Sequence, residues 1–278
     1  MDRSEILARA TAPEGHPSAM PKSLLIFAHP DDEVVALGAR LGRFGTARFV
    51  HATDGAPRNE QDSRTHGFAT LDDYRMARAQ ELGQALCNAG LSGAECTGLD
   101  IPDQEASLRL LDLTSSIARL LQNYRPEVIF THPYEGGHPD HDACAFAVHH
   151  ALALQKNGST MPIIESTFYH RGPQGVVTGE FLAASEPTPE TAYRLSSQEQ
   201  QRKRSLIQCF VTQQETLGGI PLHDEKFRIA PTYNFRKPPH AAPVLYDTQP
   251  WGMTSQRFCQ LAAEAENALR KKDFHPCQ

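Results

Sequence analysis

The sequence has no Cys-x-x-Cys pair, no long basic block, no apolar run long enough to span a membrane, and no internal repeat or low-complexity stretch. Each absence excludes something. Six scattered cysteines (Cys87, Cys96, Cys144, Cys209, Cys259 and Cys277) in a chain this size read as reduced thiols of a cytoplasmic protein, not as a disulfide framework. The first 20 residues hold no apolar h-region, so neither a secretory signal nor a membrane span is expected. The formal charge is -6, and the only basic runs are Arg202-Lys203-Arg204 and Arg270-Lys271-Lys272, both on expected helices. No nucleic-acid partner is expected of such a surface. Gly38, Gly42 and Gly45 lie at the wrong spacing for a G-x-G-x-x-G phosphate turn.

What is present is an ordinary globular composition, 40% hydrophobic and 22% charged over 278 residues, with enough chain to bury a sizeable core. Residues 24–28 form a continuous apolar run that fits a strand buried on both faces. A helix is expected over 33–44, with Val34, Leu37 and Leu41 on one side, then a strand over 48–52 ending in the turn Thr53-Asp54-Gly55. Residues 56–70 read as a long loop. Thr70 with Asp73 resembles an N-cap for a helix that runs to Asn88 and is closed by Gly90. Helices over 107–124 and 141–155 and strands over 127–131 and 163–170 continue the alternation. Strands alternating with helices imply an α/β fold with right-handed crossovers and a mostly parallel sheet. After residue 172 the pattern loosens into a strand over 175–184, helices over 196–213 and 255–272, and a Pro-rich stretch over 229–251 holding Tyr233, Phe235, Tyr246 and Trp251. The expected organisation is a loose leader over 1–20 and one domain over 21–278, with 172–278 a pocket-shaping elaboration.

Two segments carry chemistry. Ala28-His29-Pro30-Asp31-Asp32-Glu33 follows the first strand, and Gly136-Gly137-His138-Pro139-Asp140-His141 follows the strand at 127–131. Ligands of open α/β sheets bind outside the carboxyl ends of the strands, so both segments and Thr53-Asp54-Gly55 should meet at one edge. Catalytic zinc commonly takes three protein ligands and leaves a position open. His29 and Asp32 can chelate one ion across their turn, with His141 the third ligand. One carboxylate among three ligands leaves a positive centre that acidifies water and polarises a carbonyl. Asp31 can accept the proton of the attacking water, and the helix start favours both aspartates being ionised. His138, off the metal, could stabilise an oxyanion or protonate a leaving amine, with Asp140 fixing its tautomer. Gly136 and Gly137 permit a sharp turn into the helix. Either segment alone could be a capped turn with surface acids; the pair, each following an apolar strand run, points to a metal site. Glu33 reads as a helix-start or supporting residue and His132 as a supporting one. His51 reads as part of its strand, and His149 and His150 as surface or packing residues.

The AHPDDE and HPDH segments resemble those of the PIG-L/LmbE family of zinc-dependent de-N-acetylases. Weaker echoes lie at Thr53-Asp54-Gly55, Arg78-x-x-Glu81 with Leu82-Gly83, Ile101-Pro102-Asp103-Gln104, and Glu225-x-x-Arg228 with Pro238-Pro239-His240. The resemblance implies a Rossmann-like α/β sandwich and a zinc ion, or ferrous iron, on His29, Asp32 and His141. It further implies Asp31 as general base, the His138 and Asp140 pair at the oxyanion and leaving group, and Arg78 and Asp103 on sugar hydroxyls. An ion pair of Arg78 with Glu81 and a simple turn at Asp103 are the ordinary alternatives. Some relatives carry a Tyr two residues before the first His of HPDH, where this chain has Gly136. Either Tyr134 reaches in to contact substrate, or His138 works without a phenol. The implied reaction is hydrolysis of the acetamide of an N-acetylglucosamine-type sugar or glycoside, releasing acetate and free amine; a homo-oligomer is left open. The alternatives are an amidase for another amide, such as a thiol conjugate, and a non-catalytic Rossmann-like module that binds a sugar or nucleotide.

Overall fold

Successive residues of a strand face opposite sides of a sheet, so the apolar run at the first strand feeds two cores at once. In the computed structural model, which describes residues 2–155, 161–183, 188–241 and 243–271, Leu24, Ile26 and Ala28 enter one core and Leu25 and Phe27 the other. The elements in chain order are α1 (Arg3–Ala10), β1 (Ser23–Phe27), α2 (Asp32–Leu37), β2 (Arg48–Pro57), α3 (Gln61–Thr65), α4 (Leu71–Asn88), β3 (Glu95–Asp103), α5 (Leu110–Tyr124), β4 (Val128–Thr131) and α6 (Pro139–Ala153). They continue with β5 (Ile163–Ser166), β6 (Tyr169–Gly172), β7 (Gly175–Thr178), β8 (Glu190–Arg194), α7 (Ser197–Ile207), α8 (Gln214–Leu217), β9 (Asp224–Ile229) and α9 (Ser255–Lys271). The main sheet has the order β3-β2-β1-β4-β5-β9-β8. Its first five strands are parallel, and β9 and β8 are added antiparallel. Residues of α5, α6 and α9 fill one core; residues of α1, α2, α4 and α7 fill the other. The fold is therefore the expected α/β sandwich on a mostly parallel sheet. Among the described residues no helix is long and apolar enough to cross a membrane.

Several boundaries differ from expectation for local reasons. The expected helix over 33–44 stops at Leu37, where the aliphatic stem of Lys203 lies against Gly38 and the Lys203 ammonium donates to the Val35 carbonyl. The helix over 196–213 begins with the capping box of Ser196 and Glu199 but ends at Ile207, because wholly buried Phe210 leaves helical geometry. The strand expected over 163–170 is two, β5 and β6, and β6 forms a hairpin with β7. The loop over 56–70 gives its start to β2 and holds the short helix α3. β3, β8 and β9 were not expected at all.

The segment 1–20 is no loose leader. Ile6, Leu7 and Ala10 of α1 are buried at helical spacing, and Arg43 donates to the carbonyls of Arg9, Ala12 and Ser18 at 2.8–3.1 Å. Cysteines 87, 96, 144, 209 and 259 are free. Cys277, the strand end at Ala184 and the helix end at Lys272 lie outside the described residues.

Candidate active site

From β1 the sheet grows one way to β2 and β3 and the other way to β4 and β5, so the crevice of a parallel sheet opens above the β1 and β4 ends. His29 leaves β1 there, and His132 to His141 leave β4. Backbone bonds stitch the two ends together. Ala28 N–H donates to His132 Nε2 at 2.9 Å, and Thr53 donates through both its N–H and its hydroxyl to the Ala28 carbonyl. Asp32 closes its own turn by accepting the His29 N–H at 2.7 Å.

The second segment enters α6 through a histidine cap. His138 Nδ1 accepts the N–H of Asp140 at 3.2 Å, with Pro139 at the first helical position. That bond assigns the proton of the neutral ring to Nε2. Gly136 has φ +71°, and a Cβ on Gly137 would overlap the carbonyl oxygen of Tyr169, so both glycines are structurally required. Asp142 braces this turn from within the helix. One of its oxygens accepts the N–H groups of Glu135 and Gly136, and the other accepts the Tyr246 hydroxyl.

Asp32 is the hinge of the ligand geometry. Its two oxygens lie 3.4 Å from His29 Nδ1 and 3.4 Å from His141 Nε2. The distances run to different oxygens, Oδ2 toward His29 and Oδ1 toward His141, and each alone is near the ~3.3–3.4 Å that separates ligand atoms on a tetrahedral ion with bonds of about 2.0–2.1 Å. His141 Nε2 is buried and has no hydrogen-bond partner, as a nitrogen reserved for an ion would be. Among the described residues, ligand atoms lying within 4.8 Å of one another form three overlapping groups: His29 with His138 and His141; His29 with Asp103, His138 and Asp140; and Asp32 with His132 and His141. No one of these groups holds the expected His29, Asp32 and His141 together; His141 joins His29 in one and Asp32 in another. His132, assigned only a supporting role from sequence, stands 3.3 Å from Asp32 with its ring stacked on His141.

The charges suit a cation. Burial and neighbouring imidazoles push His138 and His141 down to about 3, which leaves both rings neutral. Burial would raise Asp32, but His141 and His132 hold it well below the usual carboxylate range. Burial would lower His29, but Asp103, Asp140 and Asp32 hold it well above the ordinary imidazole value. A cation on that ring would replace a proton. Burial lifts Asp31 to about 7 against the pull of Arg78, whose Nη2 lies 3.1 Å from Asp31 Oδ2.

These groups line a cavity of about 210 Å³. The structure brings together His29, Asp31, Asp32, Arg78, Asp103, His138 and His141 around it. Two expectations fail. Asp140 does not set the His138 tautomer: its carboxylate is turned to the N–H groups of Gln104 and Ala106, at 2.6 and 3.0 Å, and only its backbone meets the His138 ring. Tyr134 does not reach in, because its ring packs with Phe235 and Phe258 and its hydroxyl donates to the Lys237 carbonyl at 2.9 Å. Arg78 and Asp103 are present but face Asp31 and His29; Glu81 stands 4.0 Å from Arg78. Glu33 pairs with His51 at 3.0 Å, and His149 and His150 pack near Phe235.

Asp62, Tyr169, Gln213 and Trp251 also line the cavity and were missed as site residues. Trp251 stands over His138 at 4.5 Å between ring centroids. The available signals were weak: Tyr169 lies at the carboxyl end of an expected strand, and Trp251 closes the aromatic Pro-rich stretch.

Residues 24–152 match the family model PIG-L, described as GlcNAc-PI de-N-acetylase. A 1D-myo-inositol 2-acetamido-2-deoxy-alpha-D-glucopyranoside deacetylase 1 of Catenulispora acidiphila is 29% identical over 152 residues, covering 46% of this chain and 47% of that protein. A probable N-acetyl-alpha-D-glucosaminyl L-malate deacetylase 2 of Bacillus subtilis is 29% identical over 140 residues, covering 48% and 61%. The chain thus spans about half to three-fifths of the length of the curated relatives it matches. Among solved structures, a deacetylase of the teicoplanin biosynthesis pathway aligns with TM-score 0.57 and 17% identity, over 74% of this chain and 96% of that one. The N,N'-diacetylchitobiose deacetylase of Pyrococcus horikoshii aligns with TM-score 0.53 and 18% identity, over 81% and 87%. At those identities the structures bear on the fold alone.

Proposed function

We propose that this chain, whose residues 24–152 match the PIG-L model, is a metal-dependent hydrolase that removes the acetyl group of an N-acetylglucosamine-type sugar or glycoside, releasing acetate and free amine. The observation that carries this reading is Asp32 at 3.4 Å from both His29 and His141, with Asp31 beside it in the same cavity. The names of the curated relatives, both deacetylases of acetamido sugars, support the choice of amide.

His29, Asp32 and His141 are the proposed ligands, with zinc the proposed ion and ferrous iron the alternative. The ion would supply Lewis acidity, polarising the acetamide carbonyl and acidifying water. Asp31 takes the proton of the attacking water; a carboxyl lifted to about 7 both accepts a proton and gives it back near neutrality. His138, with its Nε2–H free of the capping bond, donates to the developing oxyanion. Either Asp31 or His138 then delivers the proton that frees the amine. Trp251 and Tyr169 give the cavity aromatic walls against which the apolar face of a sugar ring can lie. Asp140 supports this machinery by holding the Gln104 and Ala106 backbone.

We further propose that the described residues form one domain, since β8 and β9 from the C-terminal part complete the sheet begun by β1. A reducing, cytoplasmic location is our reading of the unpaired cysteines, and a homo-oligomer stays compatible with the site.

The test is an assay of bound metal coupled to acetate release from a panel of N-acetyl sugars and glycosides. Asp31→Asn should lose on the order of 10²–10⁴ in kcat while keeping its metal. An active, metal-replete Asp31→Asn enzyme would overturn the assignment of the base. Amine release from a thiol-conjugate amide without acetate would favour the other amidase, and a chain with no affinity for a divalent cation would favour the non-catalytic module.

A further inference from the structure

The two ring nitrogens of His29 face different partners. Nδ1 lies 3.4 Å from Asp32, on the side where the proposed ion would sit. Nε2 lies 3.1 Å from Asp103 Oδ1. Asp103 is the last residue of β3, and its place is fixed from both sides. Its own N–H donates to Asp54 Oδ1 at 3.3 Å, and the next N–H, of Gln104, donates to Asp140 at 2.6 Å. The other carboxylate near Nε2, that of Asp140, is 3.5 Å away and already accepts two backbone N–H groups. Asp103 is therefore the better-placed acceptor.

A histidine that ligates through one nitrogen carries its proton on the other, and an acceptor for that proton fixes both the tautomer and the ring orientation. We propose that Asp103 is a positioning residue for the metal ligand His29, accepting Nε2–H through Oδ1 so that Nδ1 is presented to the ion. The inference rests on the metal-site reading above and concerns the apo chain's own preorganisation, so it is tested without turnover.

The experiment is a Zn²⁺ titration of the full chain against a chromophoric chelator, on wild type, Asp103→Ala and Asp103→Asn, with no substrate present. Loss of a supporting partner of this kind weakens metal affinity about 10–100-fold, and that is the loss expected for Asp103→Ala. Asp103→Asn keeps an acceptor oxygen and the side-chain shape, so it should fold like wild type and lose less. Unfolding midpoints of the metal-free proteins report whether either change acts through the fold. Wild-type Zn²⁺ affinity in both variants, with a raised KM for the sugar, would overturn the proposal and leave Asp103 a sugar contact alone. A wild-type chain that binds no Zn²⁺ would instead overturn the metal reading itself, and this is seen before any variant is compared.

Discussion

Arg78→Gln is the sharpest test of how the proposed base is set. In the structure the Arg78 guanidinium is buried, donates to the Gly55 carbonyl at 3.3 Å and lies 3.1 Å from Asp31. A cation this close lowers an aspartate by about 1–3 pKa units. The Coulomb energy of two charges about 4 Å apart at an effective dielectric of about 20 is about 4 kcal/mol, which at about 1.36 kcal/mol per unit sets a ceiling near three units. Burial has already lifted Asp31 to about 7 with Arg78 in place. A general base works only when ionised, so removing Arg78 raises the pKa further and shrinks the working fraction. The acid limb of the kcat/KM profile should move to higher pH by about 1–3 units, with a loss of about 10–1000-fold on that limb. A bound divalent cation lowers the limb in wild type and variant alike, so the difference between the two profiles is the expected quantity. Arg78→Lys, which keeps a charge but not the fork that joins the Gly55 carbonyl to Asp31, should recover most of the shift. The assay is acetate release across pH at subsaturating substrate. An unchanged acid limb with a raised KM would refute the reasoning and make Arg78 a substrate contact, a role open to its Nη1, which makes no hydrogen bond and lies 4.0 Å from Glu81.

Two further predictions concern the walls of the site. Gly137→Ala forces a Cβ onto the Tyr169 carbonyl oxygen, an overpacking that costs about 1–3 kcal/mol. Chemical denaturation should show that loss, together with lowered kcat as the His138 cap shifts; an unaltered denaturation midpoint would mean the turn tolerates a side chain. Trp251 is the only tryptophan in the chain and stands over His138, so its emission should change saturably when N-acetylglucosamine is added to Asp31→Asn protein. Trp251→Phe should abolish the signal and raise KM several-fold more than it changes kcat, whereas saturating sugar that leaves the emission flat would place sugar binding elsewhere.

The residues at the end of β1 were legible because each is local to a strong signal. His29, Asp31 and Asp32 follow a strand with apolar residues on both faces, and such runs announce themselves. β3 and β8 form the two edges of the sheet, and an edge strand with one solvated face needs no continuous apolar run. Glu95 to Leu99 is mostly exposed, so nothing in it marks a strand, and the carriage of Asp103 to His29 was invisible with it. Fold class survives such a miss, since the five parallel strands decide it; a residue's partner does not.

Adjacency in the chain misleads about direction for the same reason. Asp140 is two residues from His138, yet the first turn of α6 aims its carboxylate away, at amides that follow β3. Tyr134 is two residues from Gly136, yet the φ of +71° at that glycine and the Phe235 and Phe258 rings draw the phenol into the core. Nearness in sequence is not contact at either position. Where the chain turns sharply, the polar groups that meet a side chain come from segments a strand or more away, as Asp103 meets His29 and Arg78 meets Asp31. The two residues read from the family as sugar contacts, Arg78 and Asp103, are thus also the ones the fold sets against Asp31 and His29. The chelator titration and the pH profile test those partnerships, because contact with a sugar hydroxyl alone would alter neither.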